Sequence, residues 1–209
     1  RIAKLLEIEA INSYARDGMR ILDAGCGNGE TALEIARRHI VEIRGIDFAE
    51  AMIAAAWQNQ TEAVGLRGAC QFQVGDVLAP PTLGWAYDLI YTERTIINLP
   101  TWVAQRHAIC NLLDALAPGG LLVLCENSHE GLAYVNMLRA TVGLPAIVPP
   151  EHNRYLRDTE LEELDAGEYA LTEEREYSGT YYLLSRVVTA YLAARGGYAP
   201  VYDSEINRL

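Results

Sequence analysis

The 209-residue chain carries 17 Lys and Arg against 28 Asp and Glu, a net charge of -11. That balance argues against a broad nucleic-acid footprint, because phosphate backbones recruit clustered basic residues. Half of the residues are hydrophobic and 22% are charged, the composition of an ordinary globular domain, and no apolar run reaches the roughly 18 residues of a membrane helix.

The four cysteines (Cys26, Cys70, Cys110 and Cys125) form no CxxC pair and sit in apolar or turn contexts. Such usage points to reduced thiols in a cytoplasm, with no disulfide framework and no metal site. The sequence begins at Arg1 and not at Met, which leaves the true N-terminus, and any leader, open.

In chain order, Arg20-Ile21-Leu22-Asp23 reads as a strand running into glycines, and Thr31 to Arg38 as a helix with Ala32, Ile35 and Ala36 on one face. Val41 to Asp47 is a second strand, and Ala49 to Asn59 a second helix carrying Met52, Ile53 and Ala56. Cys70 to Gly75 and Tyr87 to Tyr91 are the third and fourth strands. A long amphipathic helix is predicted from Trp102 to Leu116, stopped by Pro118-Gly119-Gly120, with strand five from Leu121 to Glu126.

Apolar strands alternating with helices imply an α/β fold, a doubly wound, mostly parallel Rossmann-like sheet. Ligands in such sheets bind beyond the carboxyl ends of the strands, at the switch point.

After strand five the pattern becomes a helical and loop insertion. Glu130 to Val142 reads as a helix capped by Gly143, followed by a loop with Pro145, Pro149 and Pro150. Thr159-Glu160-Leu161-Glu162 fits a capping box opening a short helix. Leu171 to Ser178 is predicted as a further strand, followed by a helical or extended tail. The expected organisation is one domain over 1–209, with a donor-binding core at 18–127, a substrate-side cap at 128–169 and a C-terminal strand and tail at 170–209.

The chemistry concentrates at Asp23-Ala24-Gly25-Cys26-Gly27-Asn28-Gly29, between the first strand and the first helix. Glycines there let the backbone take unusual dihedrals and lie close to a ligand, while the helix N-terminus offers free N–H groups to a carboxylate. A dinucleotide fingerprint needs a further Gly at position 30, where Glu30 stands, so NAD is the weaker reading. Asp47 ends strand two, where a carboxylate can accept ribose hydroxyls, and Phe48 beside it could lie against an adenine. Asp76, at the end of strand three, could accept from the adenine amino group, with Val77 adding backbone contacts. Read singly, each Asp is more often a cap or turn residue; three acids at three successive strand ends are hard to assign to caps alone.

The stretch Ile21 to Gly29 resembles motif I of the class I S-adenosylmethionine-dependent methyltransferases. The resemblance continues through Gly45-Ile46-Asp47, Val74-Gly75-Asp76-Val77, Tyr87-Asp88-Leu89-Ile90 and Leu116-Ala117-Pro118-Gly119-Gly120-Leu121. It implies S-adenosylmethionine as cofactor, with Gly25 and Gly27 on its methionine part, Asp47 on the ribose and Asp76 on the adenine. Asp23, Cys26, Phe48, Met52, Val77 and Tyr91 complete the expected donor set. The family's sheet ends in an antiparallel hairpin, so a last strand is expected beyond Leu209.

Methyl transfer is an in-line displacement at a sulfonium-bound carbon, which needs positioning and exclusion of water, and a base only where the attacking atom carries a firmly held proton. Tyr91-Thr92-Glu93-Arg94 ends strand four, and Arg94 with Thr95 to Pro100 suggests a turn that presents polar groups to a substrate. Glu93 and Arg94 could equally pair with each other at the surface. His152, after the Pro-rich loop, is a candidate base because an imidazole suits proton acceptance near neutrality. It could equally be a structural or exposed residue. Glu126 is a second candidate base, or a strand-end acid satisfied by backbone. Arg94, Arg154 and Arg186 suit an anionic acceptor, since guanidinium binds phosphate in bidentate fashion.

The stretches Thr92 to Pro100, Glu130-Gly131-Leu132, Leu144-Pro145, His152-Asn153 and Ser204 to Leu209 resemble, more loosely, bacterial methyltransferases associated with polysaccharide biosynthesis. That resemblance implies O-methylation of a sugar hydroxyl or terminal phosphate. The expected partner is a small-molecule or glycan acceptor, not a nucleic acid; an N- or C-methyltransferase, or a non-catalytic donor-binding module, is the alternative. Oligomeric state is not legible.

Overall fold

The computed structural model describes residues 2–81, 86–164 and 169–202. The chain divides into two compact units. One holds residues 8–126 and 152–154, and the other the described parts of 2–7, 127–151 and 155–202.

The larger unit is built on a parallel sheet. Its strands are β1 (Arg20–Ala24), β2 (Glu42–Asp47), β3 (Ala69–Val74), β4 (Tyr87–Glu93) and β5 (Leu116–Cys125), in the order β3-β2-β1-β4-β5. All four pairings are parallel. The chain moves outward from β1 to β3, then returns to place β4 against the other edge of β1. Right-handed crossovers on either side of that reversal put helices on opposite faces of the sheet, and the switch point lies between β1 and β4. Ile21, Leu22, Ile43, Ile46, Leu89 and Ile90 are at most 2% exposed, the near-continuous burial expected of strands covered on both faces.

Helix α1 (Ile2–Asn12) ends in this unit, and α2 (Glu30–Arg38), α3 (Glu50–Glu62) and α4 (Trp102–Asp114) belong to it. Helix α1 was not among the elements read from the sequence; Ile8 and Ile11 anchor it in the core. Helix α2 buries Thr31, Ala32, Leu33, Ile35 and Ala36, while Arg37 and Arg38 pair with Glu34 on the outside at 2.9 and 3.0 Å. Thr101 caps α4 by accepting from the Ala104 N–H at 3.2 Å. Helix α4 ends at Asp114, and β5 starts at Leu116, earlier than the expected Leu121. The register shifts between Tyr87 and Leu89, opposite Pro118-Gly119-Gly120, and Gly119 has φ +79°. An irregular stretch of this kind accommodates a proline that a regular ladder would reject.

The smaller unit is helical. Helix α5 (His129–Thr141) opens on Ser128, whose hydroxyl accepts from the Gly131 N–H at 2.9 Å, and Gly143, two residues past its end, has φ +72°. Helix α6 (Asp158–Glu162) is capped two residues earlier than the Thr159 box predicts. The Glu160 carboxylate reaches back to the Arg157 N–H at 3.1 Å, so Arg157 is the cap residue.

The strand predicted at Leu171–Ser178 is absent: this stretch carries neither helix nor strand. Its run Thr172-Glu173-Glu174-Arg175-Glu176 gives it no alternating apolar face to bury, and Leu171 is 49% exposed. The tail is instead helical: α7 (Gly179–Tyr182), a π-helical stretch (Leu183–Thr189) and α8 (Ala190–Gly196). Two carbonyls of this stretch accept from side chains, Tyr181 from Ser185 Oγ at 2.6 Å and Arg186 from the Arg139 guanidinium. Such competition for backbone acceptors loosens α-helical winding. Ser204 to Leu209 and any strand beyond them lie outside the described residues.

Candidate functional site

The glycine turn leaves β1 at its carboxyl end, beside the switch point. The Gly25 and Cys26 N–H groups both donate to the Ile46 carbonyl, at 2.8 and 2.9 Å, so the turn is pinned to β2. Gly25 has φ +86°, and a side chain there would sit 2.0 Å from Thr95 Oγ1. Gly27 has φ +52°, yet a methyl group at that position would meet only open space. The two glycines serve different needs: Gly25 allows close packing, and Gly27 keeps its outward face clear.

Asp47 ties the turn to the end of β2. Its Oδ2 accepts from the Gly27 N–H at 2.9 Å, and its Oδ1 from the Ala49 N–H at 2.9 Å. Each oxygen retains acceptor capacity beyond its single amide bond. Phe48 and Met52, next to this carboxylate, are 78% and 45% exposed. Exposed apolar side chains around an outward-facing acid form a surface suited to a nucleoside, apolar face and ribose hydroxyls together. Asp76 accepts from the Leu78 N–H at 2.8 Å, and the Asn111 amide donates to the Val77 and Leu78 carbonyls. Val77 itself is buried.

Three expected donor residues lie inside the protein. Asp23 is 1% exposed and Tyr91 fully buried, in register across β1 and β4. Burial, and then the Asp23 charge, push the Tyr91 phenol well above its ordinary range. Cys26 is buried too, and burial pushes its thiol up.

A second group of residues forms around the turn that follows β4. Arg94, with φ +53°, is the one non-glycine residue with positive φ among those described, a conformation that persists only where its surroundings enforce it. Its N–H donates to the Cys125 carbonyl at 3.0 Å, and Asn98 Nδ2 donates to its carbonyl at 2.6 Å. Its guanidinium lies 3.3 Å from Glu93, whose other oxygen accepts from Thr31 at 2.6 Å.

Glu126 holds the same turn from below. It accepts from Thr92 Oγ1 at 2.6 Å and from the N–H groups of Thr95, Ile96 and Ile97 at 3.0, 3.0 and 3.3 Å. Burial raises its carboxyl above the ordinary carboxylate range, and the four donors oppose that rise. An acid so fully engaged is suited to holding a loop.

His152, exposed, begins the short segment that joins this unit. Asn153 Nδ2 donates to Asn98 Oδ1 at 2.7 Å, and the Arg154 N–H to the Ile97 carbonyl at 2.7 Å. His152 is thereby carried to the end of β4. Arg186 belongs to the smaller unit, its guanidinium stacked on the Tyr202 and Tyr182 rings at 3.9 and 5.9 Å. The sequence reading missed Thr31, Gln105 and the role of Asn98.

A parallel sheet with this strand order, a glycine turn after β1 and acids ending β2 and β3 define the class I methyltransferase fold. Residues 21–120 match the family model described as a methyltransferase domain. An O-methyltransferase of Pyrenophora dematioidea is 33% identical over 52% of this chain and 39% of its own length. The ajmaline N-methyltransferase of Rauvolfia serpentina is 28% identical over 54% of this chain and 38% of its own length. The chain thus spans well under two thirds of the curated relatives it matches. The magnesium protoporphyrin IX methyltransferase of Synechocystis, solved with bound SAH, shares the fold with a TM-score of 0.62 at 18% identity, covering 78% of this chain and 71% of that one.

Among the described residues, no helix is long and apolar enough to cross a membrane, and no group of His, Cys, Asp and Glu could hold a metal ion. All four cysteines are free thiols.

Proposed function

We propose that the chain transfers a methyl group from S-adenosylmethionine to a hydroxyl of a small acceptor, a sugar hydroxyl of a glycan or its precursor being the leading candidate. The donor supplies a methyl already activated on a sulfonium sulfur, so the protein's task is to bind, orient and exclude water. Gly25 and Gly27 keep the turn close to the methionine part. Asp47 accepts from the ribose, Phe48 and Met52 flank the adenine, and Asp76 with Val77 completes its edge.

On the acceptor side, His152 takes the hydroxyl proton and Arg94 draws an anionic group toward the end of β4. Glu126 positions the turn that carries Arg94. One observation carries the reading: the Asp47 carboxylate, at the end of β2, is bonded to the Gly27 N–H at 2.9 Å, which joins ribose acid and glycine turn in a single surface. The O- and N-methyltransferase names of the relatives support methyl transfer to small molecules and leave the atom to experiment.

The test is methyl-labelled S-adenosylmethionine offered with a panel of sugars, nucleotide-linked sugars, phenols and amines. Label on a sugar hydroxyl supports the reading. Label confined to amines moves the assignment to N-methylation, and failure to bind S-adenosylmethionine overturns it.

A further inference from the structure

The Arg94–Asn98 turn and the His152–Arg154 segment are far apart in sequence, and one buried side chain joins them. Gln105, on α4, is 0% exposed. Its Nε2 donates to the Ile96 carbonyl at 3.1 Å and to the Arg154 carbonyl at 2.7 Å, while its Oε1 accepts from Arg154 Nη1 at 2.6 Å. Both amide hydrogens and one carbonyl lone pair are therefore used, each on one of the two acceptor-side segments. Helix α4 needs none of these bonds for its own backbone. An apolar residue would fill the site at lower desolvation cost, since a buried amide is costly unless every group is paired.

We propose that Gln105 is a positioning residue: it locks the His152–Arg154 segment onto the turn after β4, so that His152 and Arg94 meet the acceptor as one preformed surface. The inference rests on the methyltransferase reading for its functional consequence. Its structural half stands on the geometry alone. The lock has a second, weaker clasp in the bond from Asn153 to Asn98, and Asn98 also holds the Arg94 carbonyl. The hydrogen bonds of the Gln105 side chain go to Ile96 and Arg154 and not to the glycine turn or Asp47, so its loss should leave donor binding intact.

The test compares the full chain with its Gln105→Leu and Asn153→Ala variants. Amide hydrogen exchange is followed at Arg154, whose N–H bonds Ile97, and at Gly25 and Cys26, whose N–H groups bond Ile46. Roughly tenfold faster exchange at Arg154, with the glycine-turn amides unchanged, is expected in Gln105→Leu, and a smaller rise in Asn153→Ala. S-adenosylhomocysteine, used as the probe, should bind both variants within about twofold of the parent.

With the best acceptor from the panel above, the acceptor KM should rise at least about fivefold while the donor KM stays put. Unchanged exchange at Arg154 in both variants overturns the lock. Equal acceleration at Arg154 and at Gly25 would also overturn it, by making Gln105 a general core residue. An unaltered acceptor KM alongside faster Arg154 exchange overturns the positioning role. Should Gln105→Leu fail to fold, Asn153→Ala, which disturbs no core packing, decides by the same measures. If no acceptor turns over, the methyltransferase reading fails separately and the exchange arms still judge the lock.

Discussion

The Gly27 N–H donates to Asp47 Oδ2 at 2.9 Å, so the middle of the glycine turn is tied to the acid that ends the neighbouring strand. A charge-assisted bond of this kind is worth about 1.5–3 kcal/mol where it is shielded from water. Removing the carboxylate loses the turn's anchor and, on the proposed function, the ribose acceptor. Asp47→Ala is expected to weaken S-adenosylhomocysteine binding by roughly 10- to 100-fold, and Asp47→Asn by less, because its amide oxygen still accepts. Calorimetric titration of the variants measures both, and undiminished affinity in Asp47→Ala removes Asp47 from the donor site.

Gly25 and Gly27 should respond differently to the same substitution. Gly25→Ala places a methyl 2.0 Å from Thr95 Oγ1 at φ +86°, adding overpacking of about 1–3 kcal/mol to left-handed strain of about 1–2 kcal/mol. Gly27→Ala meets nothing in the protein, so only the strain applies, about 1–2 kcal/mol. Urea unfolding should show Gly25→Ala as the less stable variant. Donor affinity should fall by more than about tenfold in Gly27→Ala, because its methyl occupies ligand space.

Glu126 gives the structure a pH dependence with a definite sign. Burial raises its folded pKa above the ordinary 4.5, so the folded state favours the protonated form more than the unfolded chain does. The associated stability is fully present below about pH 4.5 and is lost as pH rises through the raised value. Glu126→Gln has no such titration, but its amide cannot accept as the carboxylate does from Thr92 and three backbone N–H groups, which costs about 1–3 kcal/mol. In urea melts taken from pH 4.5 upward, the parent's advantage over the variant should shrink as pH rises. An advantage that grows with pH would contradict a raised pKa.

The cysteines should sort by burial. Burial pushes the Cys70 thiol up to about 12 and the Cys26 thiol further still, leaving little thiolate to react. Cys110 is only half-buried. Alkylation of the native protein at pH 8, read by mass spectrometry, should label Cys110 well before Cys26 or Cys70. Early labelling of Cys26 would show that the glycine turn opens.

Much of the larger unit was legible because its elements carry local signals. The strands are continuous apolar runs, the turn has its glycines, and Asp47 and Asp76 sit where strands end. Gln105 was hidden in a different way. It falls on the α4 stripe with Ala108, Ile109 and Leu112, all buried, and a polar residue on a core stripe is the one signal that marks it. Its partner Ile96 opens a single 3-10 turn (Ile96–Asn98) and Arg154 lies in a loop, both too short to show a period. Leu171–Ser178 misled because aromatic and branched residues near its ends suggested a strand, while its charged middle offered nothing to bury. Tyr91 misled differently: β4 continues past it to Glu93, and its burial opposite Asp23 depends on the register between β1 and β4.

The central claim, that this chain holds S-adenosylmethionine at the glycine turn, is tested most directly by calorimetric titration of the intact chain with S-adenosylmethionine. A single site with Kd of roughly 1–100 micromolar, abolished or greatly weakened in Asp47→Ala, is the predicted result. No binding heat at about 1 millimolar ligand, or binding that Asp47→Ala and Gly27→Ala leave untouched, would contradict it.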